Sequence, residues 1–85
     1  MNESLPTRRQ KLVGVDLDGN VVELSHSISK KLYRCPGCRE SIPIGSDHVV
    51  LKLVPPGEEA YHQHWHRACV SSIIRELRNT TPRPT

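Results

Sequence analysis

Phenylalanine is absent from this chain, and the other large aromatics amount to one Trp and two Tyr. Any core within its 85 residues must therefore come mainly from aliphatic side chains. A domain of this length commonly needs a staple as well, either disulfides or a metal. Cysteine is scarce and odd in number, three residues, so disulfides cannot consume them all. No run approaches the roughly 20 apolar residues of a membrane-spanning helix. Met1 to Gln10 is polar and lacks the apolar stretch of a secretory signal. The expectation is a cytoplasmic protein with reduced thiols, in which clustered Cys bind metal. There is no G-x-x-x-x-G-K-[ST] phosphate loop, so no nucleotide site is expected. Nor is there a strong excess of one charge: the formal net charge is +3. Three thiolates and a bound dication would lower that to about +2, which permits nucleic acid as a partner without requiring it.

What is present reads as one small domain over residues 11–78, between a polar arm (1–10) and a flexible tail (79–85) whose two prolines exclude helix. Asp18-Gly19, between two apolar runs, predicts a hairpin over residues 11–28 with a two-residue turn. That register pairs Val15 with Val22 and Val13 with Leu24, and places all four on one face with Leu17. His26 falls on the polar face, in solvent. A short strand over 32–38 runs into the turn of Cys35-Pro-Gly-Cys38. Residues 48–54 and 60–65, separated by Pro55-Pro56-Gly57, predict a second hairpin with Val49, Leu51 and Leu53 on one face. Residues 66–78 carry Val70, Ile73, Ile74 and Leu77 at i, i+3, i+4, i+7, the stripe of an amphipathic helix. Arg67, Ser71, Arg75 and Arg78 fall within an arc of about 80° on its other side.

The chemistry concentrates in two pairs. Cys35 and Cys38 can point inward from one tight turn and share a tetrahedral ion, for which zinc favours thiolate and imidazole. His66 and Cys69 stand three apart at the predicted helix start, on one face. His62, His64 and His66 alternate and would share one side of a strand. His66 has the i, i+3 relation to Cys69, and His64 is the alternative ligand. Trp65 reads as a core or metal-shielding side chain. The candidate site is thus Cys35, Cys38, His66 and Cys69 around a zinc ion.

This arrangement resembles the treble clef zinc finger, in which a Cys knuckle, a β-hairpin and the first turn of a helix supply the ligands. The halves C-P-G-C and H-R-A-C also resemble the first zinc site of LIM domains. Tyr33 to Cys38 (YRCPGC), His48 to Val50 (HVV) and His64 to Cys69 (HWHRAC) are similar to a group of short actinobacterial proteins. The resemblance implies an α+β domain with two hairpins and a C-terminal helix. Proteins of that group are often labelled ATP/GTP-binding, a label the missing phosphate loop does not support.

Two further motifs compete with plainer readings. Val15-Asp-Leu-Asp-Gly19 looks like the first motif of haloacid dehalogenase-type phosphatases, but a chain this short cannot supply their parallel sheet, and a turn is expected. Asp47-His48 resembles the start of HNH nucleases, which also use a treble clef, yet the only Asn after His48 is Asn79, beyond the predicted helix. Four protein ligands leave a zinc ion no open position for water. The expected function is therefore a non-catalytic binding module for nucleic acid or a protein partner, with an HNH-like metal-dependent nuclease as the alternative. Arg67, Arg75, Arg78, Lys30, Lys31 and Arg34 are the candidate phosphate contacts, joined by Arg8, Arg9 and Lys11.

Overall fold

A computed structural model describes residues 10–84, so most of the expected arm lies outside the described residues. The element order is β1 (Gln10–Val15), β2 (Val21–Ile28), β3 (Tyr33–Arg34), β4 (Ser41–Ile42), β5 (Asp47–Val54), β6 (Tyr61–Trp65), α1 (Ser71–Glu76) and β7 (Arg78–Pro84). A five-stranded sheet has the order β6-β5-β2-β1-β7, and β3 and β4 form a separate pair. All strand neighbours are antiparallel. The architecture is a mixed one, mostly antiparallel strands with one short helix. That helix is not long and apolar enough to cross a membrane.

The first hairpin forms, but one residue out of the expected register. Val15 pairs with Val21, Gly14 with Val22 and Leu12 with Leu24. The cause is Asp16. Its amide donates to the Asn20 carbonyl (3.0 Å) and its carbonyl accepts from the Gly19 amide (3.1 Å). Its Oδ1 accepts from the amides of Asp18 and Asn20, and Oδ2 from the Asn20 side chain, each at 2.9 Å. The loop is therefore the three residues Leu17, Asp18 and Gly19, with Gly19 at φ 85°. This is a type I turn closed by a left-handed residue rather than a two-residue turn. Burial alone would raise the Asp16 pKa, but the hydrogen bonds from Asn20, Asp18 and Gly19 outweigh it and hold the carboxyl below its usual value. The Asp-Gly motif is a turn and nothing in it assembles a phosphatase site.

A one-residue slip sends every side chain of a strand to the other face. Leu12 and Gly14, not Val13 and Val15, therefore join Val22 and Leu24 on the core side, and Leu17 is 65% exposed at the loop tip. The second hairpin has the expected arrangement: Val49 pairs with Trp65, Leu51 with Gln63 and Leu53 with Tyr61. The core unites Val22, Leu24, Val49, Leu51 and Trp65 from the sheet with Cys35, Ile42, Val70 and Ile74. His26 is not in solvent: its register partner is Val49, its side chain is 7% exposed, and Nε2 lies 3.6 Å from the Asp47 carboxylate.

The apolar stripe Val70, Ile73, Ile74 and Leu77 packs into the core as expected, yet the helix is confined to Ser71–Glu76. The chain then turns extended at Leu77, and Arg78–Pro84 forms β7 against β1. The helix is thus not C-terminal, and the segment expected to be a flexible tail from residue 79 is ordered as an edge strand through Pro84. Two prolines are compatible with that place because an outer edge needs no ladder donors. Arg67 and Arg78 lie outside the helix, so the expected arginine arc does not exist as one helical face.

Gly14 makes β7 possible. A Cβ on it would stand 2.9 Å from Thr80 Cγ2, 3.1 Å from Leu77 Cβ and 3.2 Å from the Arg78 carbonyl oxygen. Where there is room, Gly→Ala stabilises by about 0.4–1 kcal/mol through the unfolded chain. Here the sign should reverse: Gly14→Ala is expected to destabilise by about 1–3 kcal/mol. Chemical denaturation gives the sign, and hydrogen exchange should show lost protection across 78–84; a stabilised variant would refute this packing.

Candidate metal centre

The knuckle is shaped by its backbone. The Cys35 amide donates to the Glu40 carbonyl (3.0 Å), and the Arg39 amide donates to the Cys35 carbonyl (2.7 Å). Arg39 adopts φ 66°, a left-handed conformation, to close the loop. The opposite half begins where β6 ends. His66 follows Trp65 directly, and the Cys69 amide donates to the His66 carbonyl at 3.0 Å, a tight turn that aims both side chains the same way.

These halves meet. The donor atoms of Cys35, Cys38, His66 and Cys69 all lie within 4.8 Å of one another, and the four could hold a metal ion. His66 Nδ1 is 3.2 Å from Cys38 Sγ and 3.9 Å from Cys69 Sγ. A tetrahedral zinc with bonds of about 2.3 Å needs neighbouring donors about 3.8 Å apart, so the cluster has the right size. His66 Nε2 lies 3.0 Å from the Ser41 carbonyl oxygen. That carbonyl fixes the proton on Nε2 and leaves the Nδ1 lone pair facing the sulfurs, the usual orientation of a metal-binding His.

The thiols are set unequally. Burial opposes ionisation of Cys35, but the amides of His66, Cys38 and Gly37 converge on its sulfur and lower its pKa to about 6. Burial, followed by the neighbouring thiols Cys38 and Cys35, pushes Cys69 up to about 12. Without a cation, the site thus stabilises one thiolate and resists a crowd of them. A bound dication removes that conflict.

His64, the alternative ligand, is engaged elsewhere. Its ring stacks on Tyr33 with centroids 3.5 Å apart and planes 9° apart, and its Nδ1 is 2.7 Å from His48 Nε2. His48 is 1% exposed. Burial holds both imidazoles below their usual pKa; for His48 it outweighs the nearby backbone of Ser27 and Ser46, and for His64 it is reinforced by His48 and His62. His48 is therefore a packed member of a three-ring stack. Asn79, the nearest substitute for a nuclease Asn, sits in β7 at φ 56°.

A family model described as Rv1322 family protein matches residues 10–71. The chain belongs to the Rv1322 family. No curated protein and no solved structure matches it. The family match runs from the first residue of β1 to the first of α1, and so takes in all four candidate ligands and the histidine stack.

Two contributors to the site are not evident from sequence. Ser41 takes part only through its carbonyl, which any residue could supply. Gly37 lies under Trp65: a Cβ there would stand 2.6 Å from the indole ring and 3.2 Å from Cys69 Cβ. The Cys-Pro-Gly-Cys motif contains it, but signals only turn chemistry at that position. Gly37→Ala should therefore weaken metal retention, with a competing chelator stripping the variant at a lower concentration than the parent; unchanged retention would show that the indole can yield.

Acid should destabilise the fold. An imidazole with a lowered folded pKa takes up its proton more readily when unfolded, so the unfolded chain binds more protons below about pH 6.5 and stability falls there. Cys35 acts in the same direction, losing its thiolate as pH falls through about 6. Denaturation midpoints measured from pH 7.5 down to 5 should decline; a flat profile would contradict the buried, neutral state of His48 and His64.

Proposed function

We propose that this member of the Rv1322 family is a zinc-organised, non-catalytic binding module whose partner is nucleic acid or a protein. The observation that carries this reading is the convergence of three sulfurs and one imidazole nitrogen on a single point. That donor set suits zinc, and four protein donors complete a structural site with no position left for substrate or water. Support for a nucleic-acid partner comes from the surface, where Lys30, Lys31, Arg34 and Arg78 are exposed. The treble clef resemblance is consistent with a ligand pair on each side of a hairpin. The nuclease alternative is weaker, because it needs His48 to activate water and that ring is buried in the stack.

X-ray absorption on the purified chain should report one zinc in a shell of three sulfurs and one nitrogen. A shell with a water oxygen in place of a protein donor would overturn the non-catalytic reading. Chelation should unfold the knuckle, α1 and their packing against the core, since structural zinc contributes roughly 10 kcal/mol or more to small domains. Cys69→Ser and His66→Ala should do the same. A dispersed amide NMR spectrum from verified zinc-free protein would show that the metal is not structural.

A further inference from the structure

The core occupies one face of the large sheet, and the registers fix what the other face carries. One row across it runs Arg83, Lys11, Ser25, Val50, His64. The next runs Thr81, Val13, Glu23, Lys52, His62. The third runs Arg78, Val15, Val21, Val54. None of these side chains is fully buried, whereas Val22, Leu24, Val49 and Leu51 on the core face are at most 3% exposed. The next row, Ser27 and His48, closes the face at that end, where His48 is 1% exposed in the stack with Tyr33 and His64. Among the described residues, no helix covers this face. Its cations are Arg78, Arg83, Lys11 and Lys52; its carboxylate is Glu23, which Lys11 already binds at 3.0 Å.

We propose that this sheet face, rather than the surface around Arg67 and Arg75, is the binding surface of the module, and that its occupant is single-stranded nucleic acid. The proposal rests on the binding-module reading above. Charge complementarity selects a polyanion, because cations flank the face on β7, β1 and β5 with one carboxylate among them. Shape then separates single strand from duplex. Five strands at about 4.8 Å spacing form a platform about 19 Å across, too broad for a major groove about 12 Å wide that admits a helix or two-stranded ribbon. Splayed bases need flat, partly apolar ground instead. Val13, Val15, Val50 and the Tyr33–His64 stack provide it beside the phosphate-binding cations.

The test is fluorescence anisotropy of the zinc-loaded full chain with a labelled single-stranded oligonucleotide of about 12 nucleotides, across a salt series. Lys52→Glu with Arg83→Glu is expected to weaken binding about tenfold or more, and to flatten the log–log salt slope by about 1.4, as two phosphates would no longer be neutralised. The milder pair Lys52→Gln and Arg83→Gln should show the same trend if charge reversal perturbs the sheet. Arg67→Glu with Arg75→Glu, away from this face, should change affinity by less than about twofold. Equal loss from that control pair, or duplex bound as tightly as single strand, would overturn the proposal. No binding at about 50 mM salt by folded, zinc-loaded protein would also overturn it and favour a protein partner, while leaving the zinc-module reading intact. Failure of that reading would show separately, as a wrong shell in X-ray absorption.

Discussion

The cluster of Cys35, Cys38, His66 and Cys69, which could hold a metal ion, joins two stretches of chain that little else holds together. Cys38 and His66 lie 28 residues apart, and between them runs the whole β4–β5–β6 excursion. β3 and β4 have two residues each, far too few to persist alone, since even an isolated full hairpin is marginal in water. α1 has six residues, well below the length at which helices stand unaided. Both become tenable when the knuckle and the turn before α1 are tied to one point. The core then continues that tie inward: Cys35 and Ile42 from the knuckle pack with Val70 and Ile74 beneath the sheet.

The hydrogen bonds of Asp16 have a similarly long reach. By holding Asn20 through both carboxylate oxygens, Asp16 sets a three-residue loop, and the loop sets which face β1 shows. Leu12 and Gly14 then turn inward. Because position 14 has no side chain, Leu77 and Thr80 can close over β1 and β7 can add to the sheet. Val13 and Val15 turn outward and give the open face its apolar patches. A two-residue turn would have filled the space above β1 with valine and left an open face of different composition.

Much of this is legible in the sequence, for physical reasons that differ by element. The second hairpin is readable because its alternation and its Pro-Pro-Gly break agree. The candidate donor set is readable because metal chemistry restricts donor types and spacing together, and the i, i+3 relation favours His66, whose ring nitrogen clusters with the three sulfurs, while leaving His64 open. The first hairpin is half readable: Asp-Gly marks a turn, but whether its loop has two or three residues depends on a side chain outside the dipeptide. The end of the helix and the start of β7 are not readable. Leu77 completes an apolar helical stripe and yet is extended, because Gly14 offers a groove across the sheet that local periodicity does not encode. His26 is different: strand alternation already puts it on the face of Val22 and Leu24, and only its residue type suggests solvent, whereas Asp47 on the neighbouring strand meets its ring there.

The scarcity of aromatic side chains acquires a meaning in this setting. Of the one Trp and two Tyr, Tyr61 is 49% exposed, while Trp65 and Tyr33 both lie at the end of the molecule that carries the candidate metal site. Trp65 precedes a ligand and lies over Gly37 of the knuckle. Tyr33 stands two residues before Cys35 and stacks on His64, two residues before His66. The two rings thus buttress both ligand-bearing segments from the sheet side, one through the core and one through the histidine stack. Aromatic surface buries more area per residue than aliphatic surface and loses little rotamer freedom in doing so. Placing it beside the candidate ligands anchors the sheet-side flanks of both segments and leaves the Cys35–Cys38 loop and the turn from His66 to Cys69 to be tied by a metal, whose attraction must also overcome repulsion among the thiolates.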